Sequence, residues 1–121
     1  MVAALVFVYE MRARSESQVT VSPQELIRLM NQGALVLDLR PAEQYQAGHL
    51  NGARRLNADE ILKAGDTLKK YKEKAVVVYD DSGTLGGAAV RQLAAQGFTR
   101  AFALRGGLAA WRADNLPVAR A

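Results

Sequence analysis

From Gln18 onward the apolar residues fall into short blocks, some continuous and some spaced at helical intervals, and the two kinds alternate. Val19 to Val21 predicts a short strand. Ser22-Pro23-Gln24-Glu25 then supplies an N-cap, a proline at the first helical position and a capping-box glutamate. The helix they open runs to about Gln32, with Leu26, Ile27, Leu29 and Met30 as its apolar stripe and Gly33 at its end. ALVLDL, residues 34–39, reads as a buried strand, and PAEQYQAGH begins a turn or a short helix. ARRL, residues 53–56, is a further strand candidate, and Asp59 and Asp66 begin short helices. Val76 to Tyr79 is uninterrupted rather than alternating, which predicts a central strand buried on both faces. A helix from about Thr84 to Gln96 follows, with Gly97 as its cap. Ala101 to Leu104 gives another strand, Gly106-Gly107 a turn, and LAAWRADN a last helix anchored by Trp111. Strands alternating with helices imply a mostly parallel sheet covered on both faces. A site on such a sheet belongs at the carboxyl ends of the strands, here at Asp38 and Asp80.

The first nine residues, MVAALVFVY, break this pattern, because they are apolar or aromatic throughout and EMRARSESQ after them is polar and charged. A membrane span needs about twenty apolar residues, so the block alone does not cross a bilayer. Its arginines, Arg12 and Arg14, follow the apolar run, which is the wrong order for a signal peptide. It reads as the last turns of a transmembrane helix, with Phe7 and Tyr9 at the interface and the arginines on the cytoplasmic side, of a bacterial inner membrane. The alternative is a terminal strand or helix that packs on the domain or on a neighbouring molecule. On this reading residues 1–17 are an apolar segment and linker, and residues 18–121 form one domain.

Composition narrows the chemistry. The 121 residues suit one domain with a real core, and half of them are hydrophobic. Lys and Arg exceed Asp and Glu by 16 to 12, a mild excess that includes Lys63, Lys69, Lys70, Lys72 and Lys74. These lysines alternate with Asp66, Leu68, Tyr71 and Glu73, as on the wet face of a short helix, and no stacking platform or helix-turn-helix pattern accompanies them. Nucleic acid is therefore not an expected partner. The chain contains no cysteine, which removes disulfides, thiolate metal sites and every cysteine nucleophile. One histidine, His49, gives little basis for a metal site, and no metal or cofactor is expected.

VVVYDDSGTLGGAA, residues 76–89, has the look of a reactive strand-to-helix turn. The candidate loop is Asp80, Asp81, Ser82, Gly83, Thr84, Leu85 and Gly86. Backbone N–H groups converging at such a turn favour negative charge, and Asp80 would supply it from within, so that the cradle is self-filled. The plainer reading is that Asp80 and Asp81 cap the following helix.

DLRPAEQYQAGHLNGA, residues 38–53, closely resembles the signature of the rhodanese homology domain: Asp38, Arg40, Glu43, Tyr45, Gly48, His49, Leu50, Gly52 and Ala53 fall on its matching positions. RGGLAAW, residues 105–111, resembles the second landmark of that family, and the likeness spans about residues 19–118. It implies a three-layer α/β/α fold around a central, mostly parallel five-stranded sheet. The family's catalytic cysteine opens a loop reading roughly Cys-x-x-Gly-x-Arg-Ser and carries sulfur as a persulfide. Here Asp80 stands at the cysteine's place and Leu85 at the basic residue's, and a carboxylate cannot accept a sulfane sulfur. Asp38 is expected to accept backbone N–H bonds, Arg40 and Glu43 to pair and fix the turn, and His49 to be a hydrogen-bonded structural residue. Tyr45 and Trp111 are expected in the core.

YDDSGTL also resembles the first motif of haloacid-dehalogenase-type phosphatases, with Asp80 as nucleophile, but Ser82 replaces the general acid and the chain after Thr84 is too short for the remaining motifs. The expectation is thus a rhodanese-like domain without its nucleophile, acting as a non-catalytic binding or regulatory module for an unidentified protein partner at the cytoplasmic face of a membrane. The alternatives are a sulfurtransferase by descent with lost or altered activity, a weak Asp80-dependent phosphatase, and a purely structural anchor.

Overall fold

The computed structural model describes residues 20–120. The apolar segment of residues 1–9 and the predicted strand residue Val19 lie outside them, and among the described residues no helix is long and apolar enough to cross a membrane. Along the chain run β1 (Thr20–Val21), α1 (Pro23–Asn31), β2 (Leu35–Asp38), α2 (Ala42–Ala47), β3 (Arg54–Arg55), α3 (Ala58–Leu62) and α4 (Ala64–Thr67). A 3₁₀ turn at Lys69–Tyr71 leads into β4 (Val76–Tyr79), followed by α5 (Gly86–Ala95), β5 (Ala101–Leu104) and α6 (Gly107–Ala113). The five strands pair in the order β1-β5-β4-β2-β3, and every pairing is parallel.

The uninterrupted apolar run of β4 places it at the centre, where all four of its side chains are fully buried. Strand alternation sends Val76 and Val78 to one face and Val77 and Tyr79 to the other. On the first face they meet Leu35, Leu37, Ile61, Ala64, Val90 and Leu93, so α3, α4 and α5 form one covering layer. On the second they meet Val36, Leu26, Leu108 and Trp111, so α1 and α6 form the opposite layer. Each buried valine contributes about 1.5–3 kcal/mol relative to an exposed one, which makes β4 the main hydrophobic anchor of both layers.

Local chemistry sets the helix starts. Ser22 and Glu25 close the capping box of α1 in both directions, at 3.1 and 2.9 Å. A second box opens α3, where Asn57 and Glu60 exchange bonds of 2.8 and 2.9 Å, so Asn57 and not Asp59 is the cap. Asp66 lies inside the first turn of α4 rather than before it. The helix predicted from Thr84 starts at Gly86. Tyr45 is half-buried rather than a core residue, and its hydroxyl donates to the Ala53 carbonyl at 2.6 Å.

At the carboxyl end of the sheet a buried polar knot ties three segments together. Asp38 and Tyr79 end β2 and β4 in register. The Tyr79 hydroxyl donates to Asp38 Oδ2 at 2.6 Å and accepts the Leu50 N–H at 3.0 Å. Arg40 closes the other side of the carboxylate through its backbone N–H (2.8 Å), Nε (3.1 Å) and Nη2 (2.8 Å), and Nη2 also donates to the Gly48 carbonyl. The expected pairing of Arg40 with Glu43 does not form, because Arg40 folds back onto Asp38 and Glu43 faces solvent at the start of α2. Burial opposes the Arg40 charge, but the hydrogen bonds and charge of Asp38 outweigh it and raise the guanidinium pKa. Burial, then the bond to Asp38, pushes the Tyr79 phenol well above the ordinary tyrosine value.

The start of α6 backs the loop after β4. Leu108 and Ala109 donate their N–H groups to the carbonyls of Asp80 and Asp81, both at 2.9 Å. Gly107 (φ +61°) sits so close that a Cβ there would stand 2.5 Å from the Asp80 carbonyl oxygen and 2.7 Å from Gly83 N. Beyond α6 the tail returns across the domain. Trp111 Nε1 donates to the Pro117 carbonyl at 2.8 Å, and His49 and Ala119 exchange backbone bonds of 2.9 and 2.7 Å in an isolated antiparallel bridge.

Two variant pairs test this account. Gly107→Ala should cost about 2–4 kcal/mol in urea denaturation, from overpacking against backbone together with left-handed strain. Gly87→Ala should be neutral or stabilising, because its Cβ would meet only the Arg91 side chain, at 3.6 Å, and alanine favours the helix. Tyr79→Phe should cost about 1–3 kcal/mol by leaving Asp38 and the Leu50 N–H each a partner short. Because the folded phenol has a raised pKa, its contribution is complete below the ordinary value of about 10 and is lost as pH rises toward the folded value. Tyrosinate absorbance of the folded protein near that ordinary value should therefore be the same in Tyr79→Phe as in the parent.

Candidate functional site

The loop between β4 and α5 is shaped by its own first side chain. Asp80 is 5 % exposed, and its carboxylate reaches forward to accept the N–H of Gly83 at 2.7 Å on Oδ1 and that of Leu85 at 3.0 Å on Oδ2. Gly83, at φ +93°, provides the left-handed turn that bends the chain back over this carboxylate. Asp80 does not cap α5 in the usual way, since Leu85 is the N-cap residue and its own side chain makes no cap bond. It instead holds the preceding turn closed, which delays the helix to Gly86.

The remaining loop residues face outward. Asp81 is exposed, and its carboxylate lies 3.4 Å from Arg40 Nη1, a long contact that contributes little against solvent screening. The Ser82 and Thr84 hydroxyls share a hydrogen bond of 2.9 Å, and Leu85 is 53 % exposed. Gly86, at the first turn of α5, is buried so near β5 that a Cβ would lie 2.6 Å from that of Ala103. The structure therefore brings Asp80, Gly83 and Leu85 onto one point and leaves Asp81, Ser82 and Thr84 at the rim.

Of the other signature residues, Asp38 and Arg40 form the knot beneath the loop, and Arg40 joins the two through Asp81. Glu43 is separate from both. His49 is buried, stacks on the Tyr45 ring with centroids 3.8 Å apart, and donates Nδ1–H to the Tyr45 carbonyl at 2.7 Å. Its contacts are those of a structural residue. Among the described residues no group of His, Asp and Glu is arranged to hold a metal ion.

Two features escape sequence reading. The Tyr79 hydroxyl, which joins the two strand ends, shows only as an aromatic closing an apolar run. An open groove of about 750 Å³ runs beside the loop, lined by Ser82, Gly83, Thr84, Arg91, Thr20 and Arg105. Arg105 is steadied by the Thr20 hydroxyl at 3.3 Å. The groove arises because β1 pairs beside β5, a neighbour relation that no local pattern reveals.

Chemically the loop presents N–H donors to a negative group, and that group is internal. Asp80 has the charge but not the polarisable sulfur that a persulfide requires. The same architecture recurs in known proteins. YibN of Escherichia coli (strain K12) is 38 % identical over 99 residues, covering 79 % of this chain and 68 % of that protein. The thiosulfate sulfurtransferase GlpE of Pseudomonas entomophila (strain L48) is 30 % identical over 92 residues, covering 76 % of this chain and 83 % of the relative. The solution structure of a rhodanese-like domain from an Anabaena protein superposes with a TM-score of 0.72 at 27 % identity, over 85 % of this chain and 80 % of that one. With the rhodanese-like domain profile matching residues 22–114, and with the all-parallel sheet and loop placement described above, the chain belongs to the rhodanese-like domain family.

Proposed function

We propose that this rhodanese-like domain is a non-catalytic binding or regulatory module held at a membrane by its N-terminal segment. The observation that carries the first half is the Asp80 carboxylate, which stands at the family's nucleophile position and takes the Gly83 and Leu85 N–H groups for itself. An anionic donor approaching that point meets an occupied cradle, with the exposed Asp81 charge beside it. Loss of the nucleophile leaves the fold intact, since the loop's closure and its backing by α6 are satisfied without sulfur. The surface that remains, the rim of Ser82, Thr84 and Leu85 with the adjoining groove, suits recognition of a partner protein rather than turnover.

Membrane attachment is supported by the sequence alone. Nine apolar residues precede Arg12 and Arg14 with no alternation that would let one face pack on a sheet while the other meets water. Sulfur transfer is the second reading, favoured by the name of the Pseudomonas relatives and opposed by the lack of any cysteine. A phosphatase acting through Asp80 is opposed by the burial of that carboxylate and by its two N–H bonds.

Purified protein should transfer no sulfur from thiosulfate or mercaptopyruvate to cyanide or a thiol; turnover that survives repurification would overturn the non-catalytic reading. In Asp80→Cys the thiolate would take the place of the carboxylate before the Gly83 and Leu85 N–H groups. Its alkylation rate should reach half-maximum below the pH of about 8.5 at which a free cysteine does, despite the Asp81 charge. An inert thiol would mean that the loop re-forms without its N–H groups converging. Deleting residues 1–17 should leave the melting temperature nearly unchanged and lower the binding of detergent. A loss of several degrees, on the order of 1 kcal/mol for a domain of this size, would make the segment part of the fold.

A further inference from the structure

The end of the sheet opposite the Asp80 loop carries a concentration of positive charge that the site does not use. Lys69, Lys70 and Tyr71 form the 3₁₀ turn, Lys72 and Lys74 lead into β4, and Arg100 precedes β5. Arg54, Lys70 and Lys74 all gather on the half-buried Tyr71 ring, with their cationic centres 5.7, 5.2 and 5.8 Å from its centroid. Centres at those distances from one point are at most about 11.5 Å apart, comparable with the roughly 8–10 Å screening length of salt near physiological strength, so they repel in part. The ring offsets only part of this. Among the described residues the ion pairs join Arg40 to Asp38 and Asp81, and none takes up a cation of this end, where Glu73 is the carboxylate nearest in sequence.

Where the described chain begins leaves the choice of membrane-facing end to charge. Every strand is parallel, but the register sets the two-residue β1 toward the other end, where Thr20 pairs opposite Ala103 and lines the groove beside the loop with Arg105. The ten residues from Glu10 to Val19 could span at most about 35 Å, a domain's length, so an anchor at residues 1–9 is compatible with either end facing the bilayer, and the charge decides between them.

We infer that the basic end around Tyr71 lies against an anionic phospholipid surface, turning the Asp80 loop and its groove away from the bilayer. Each lysine or arginine brought to such a surface strengthens binding about fivefold, and the effect falls off within a screening length, as a cluster this compact requires. Nucleic acid fits less well, because the aromatic face that a base would stack on is already covered by the three cations. The orientation rests on the membrane reading above; the lipid contact of the cluster does not.

The test is sedimentation of the full chain with phosphatidylcholine vesicles made with and without phosphatidylglycerol. Phosphatidylglycerol should strengthen binding, and Lys70→Glu/Lys74→Glu should remove at least about tenfold of that gain. Lys70→Gln/Lys74→Gln should remove a smaller part, which guards against a reversal that disturbs folding. Arg91→Glu/Arg105→Glu, matched in charge but at the groove, should leave the gain intact. If the N-terminal segment is not a membrane anchor, binding to phosphatidylcholine alone is absent while the phosphatidylglycerol gain persists. An undiminished gain in the Lys70/Lys74 variants, or an equal loss in the Arg91/Arg105 variant, overturns the inference. So does binding to duplex DNA that these lysines control while vesicle binding ignores them. Since the chain has no cysteine, a single fluorophore at Thr99→Cys should be quenched by nitroxide-labelled lipid and one at Ser82→Cys should not; the reverse pattern overturns the orientation.

Discussion

The domain is organised around one buried anion, the Asp38 carboxylate. A charge with no exposure is unfavourable unless every lone pair is met, and here Tyr79, Arg40 and the Arg40 backbone meet them. Each partner fixes a different stretch of chain. Tyr79 sets the end of β4 and through Leu50 the entry to β3, while Arg40 reaches Gly48 and the rim at Asp81. The loop at Asp80 begins one residue after Tyr79, so its position is inherited from this knot. Among the described residues no buried side-chain polar atom is left without a partner, which shows how completely the charge is accommodated.

The strands were legible where packing leaves a simple trace. β4 and β5 match uninterrupted apolar runs because a strand covered on both faces tolerates few polar side chains. The capping box at Ser22 and Glu25 was equally plain, since two short-range bonds require two residue types three apart. The start of α3 was missed because asparagine caps as well as aspartate, and Asp59 drew attention from Asn57. The start of α5 was misplaced for another reason. Asp80 competes for N–H groups that a helix would otherwise carry, and the outcome depends on Gly83 and Gly107 meeting across the loop.

The candidate site was legible as a list but not as an arrangement. The pattern from Asp38 to Ala53 named the residues and assigned Arg40 a carboxylate partner of the wrong identity, because the three-residue spacing to Glu43 suits a helix, whereas the bend at Arg40 folds its backbone N–H and side chain back onto Asp38, two residues earlier. Tyr79 as the third side chain of the knot needed the register of two strands that are far apart in sequence. The groove and the basic end needed the whole strand order. Charge counts along the chain made the lysines look like a solvated helix face, whereas the arrival of Arg54 on the ring that Lys70 and Lys74 share appears only when β3 is laid beside the 3₁₀ turn.

The returning tail changes how the domain would respond to a load. The family match ends at residue 114, yet Pro117 receives the Trp111 indole N–H and Ala119 is zipped to His49 by two backbone bonds. A pull on the carboxyl terminus would meet these attachments in series and peel them away one at a time, before any strand of the sheet is loaded. The tail is in that sense a mechanical fuse: tension from a downstream segment or a bound partner would first uncover Gly48 and the face of Trp111, while β4 and the loop it supports kept their shape.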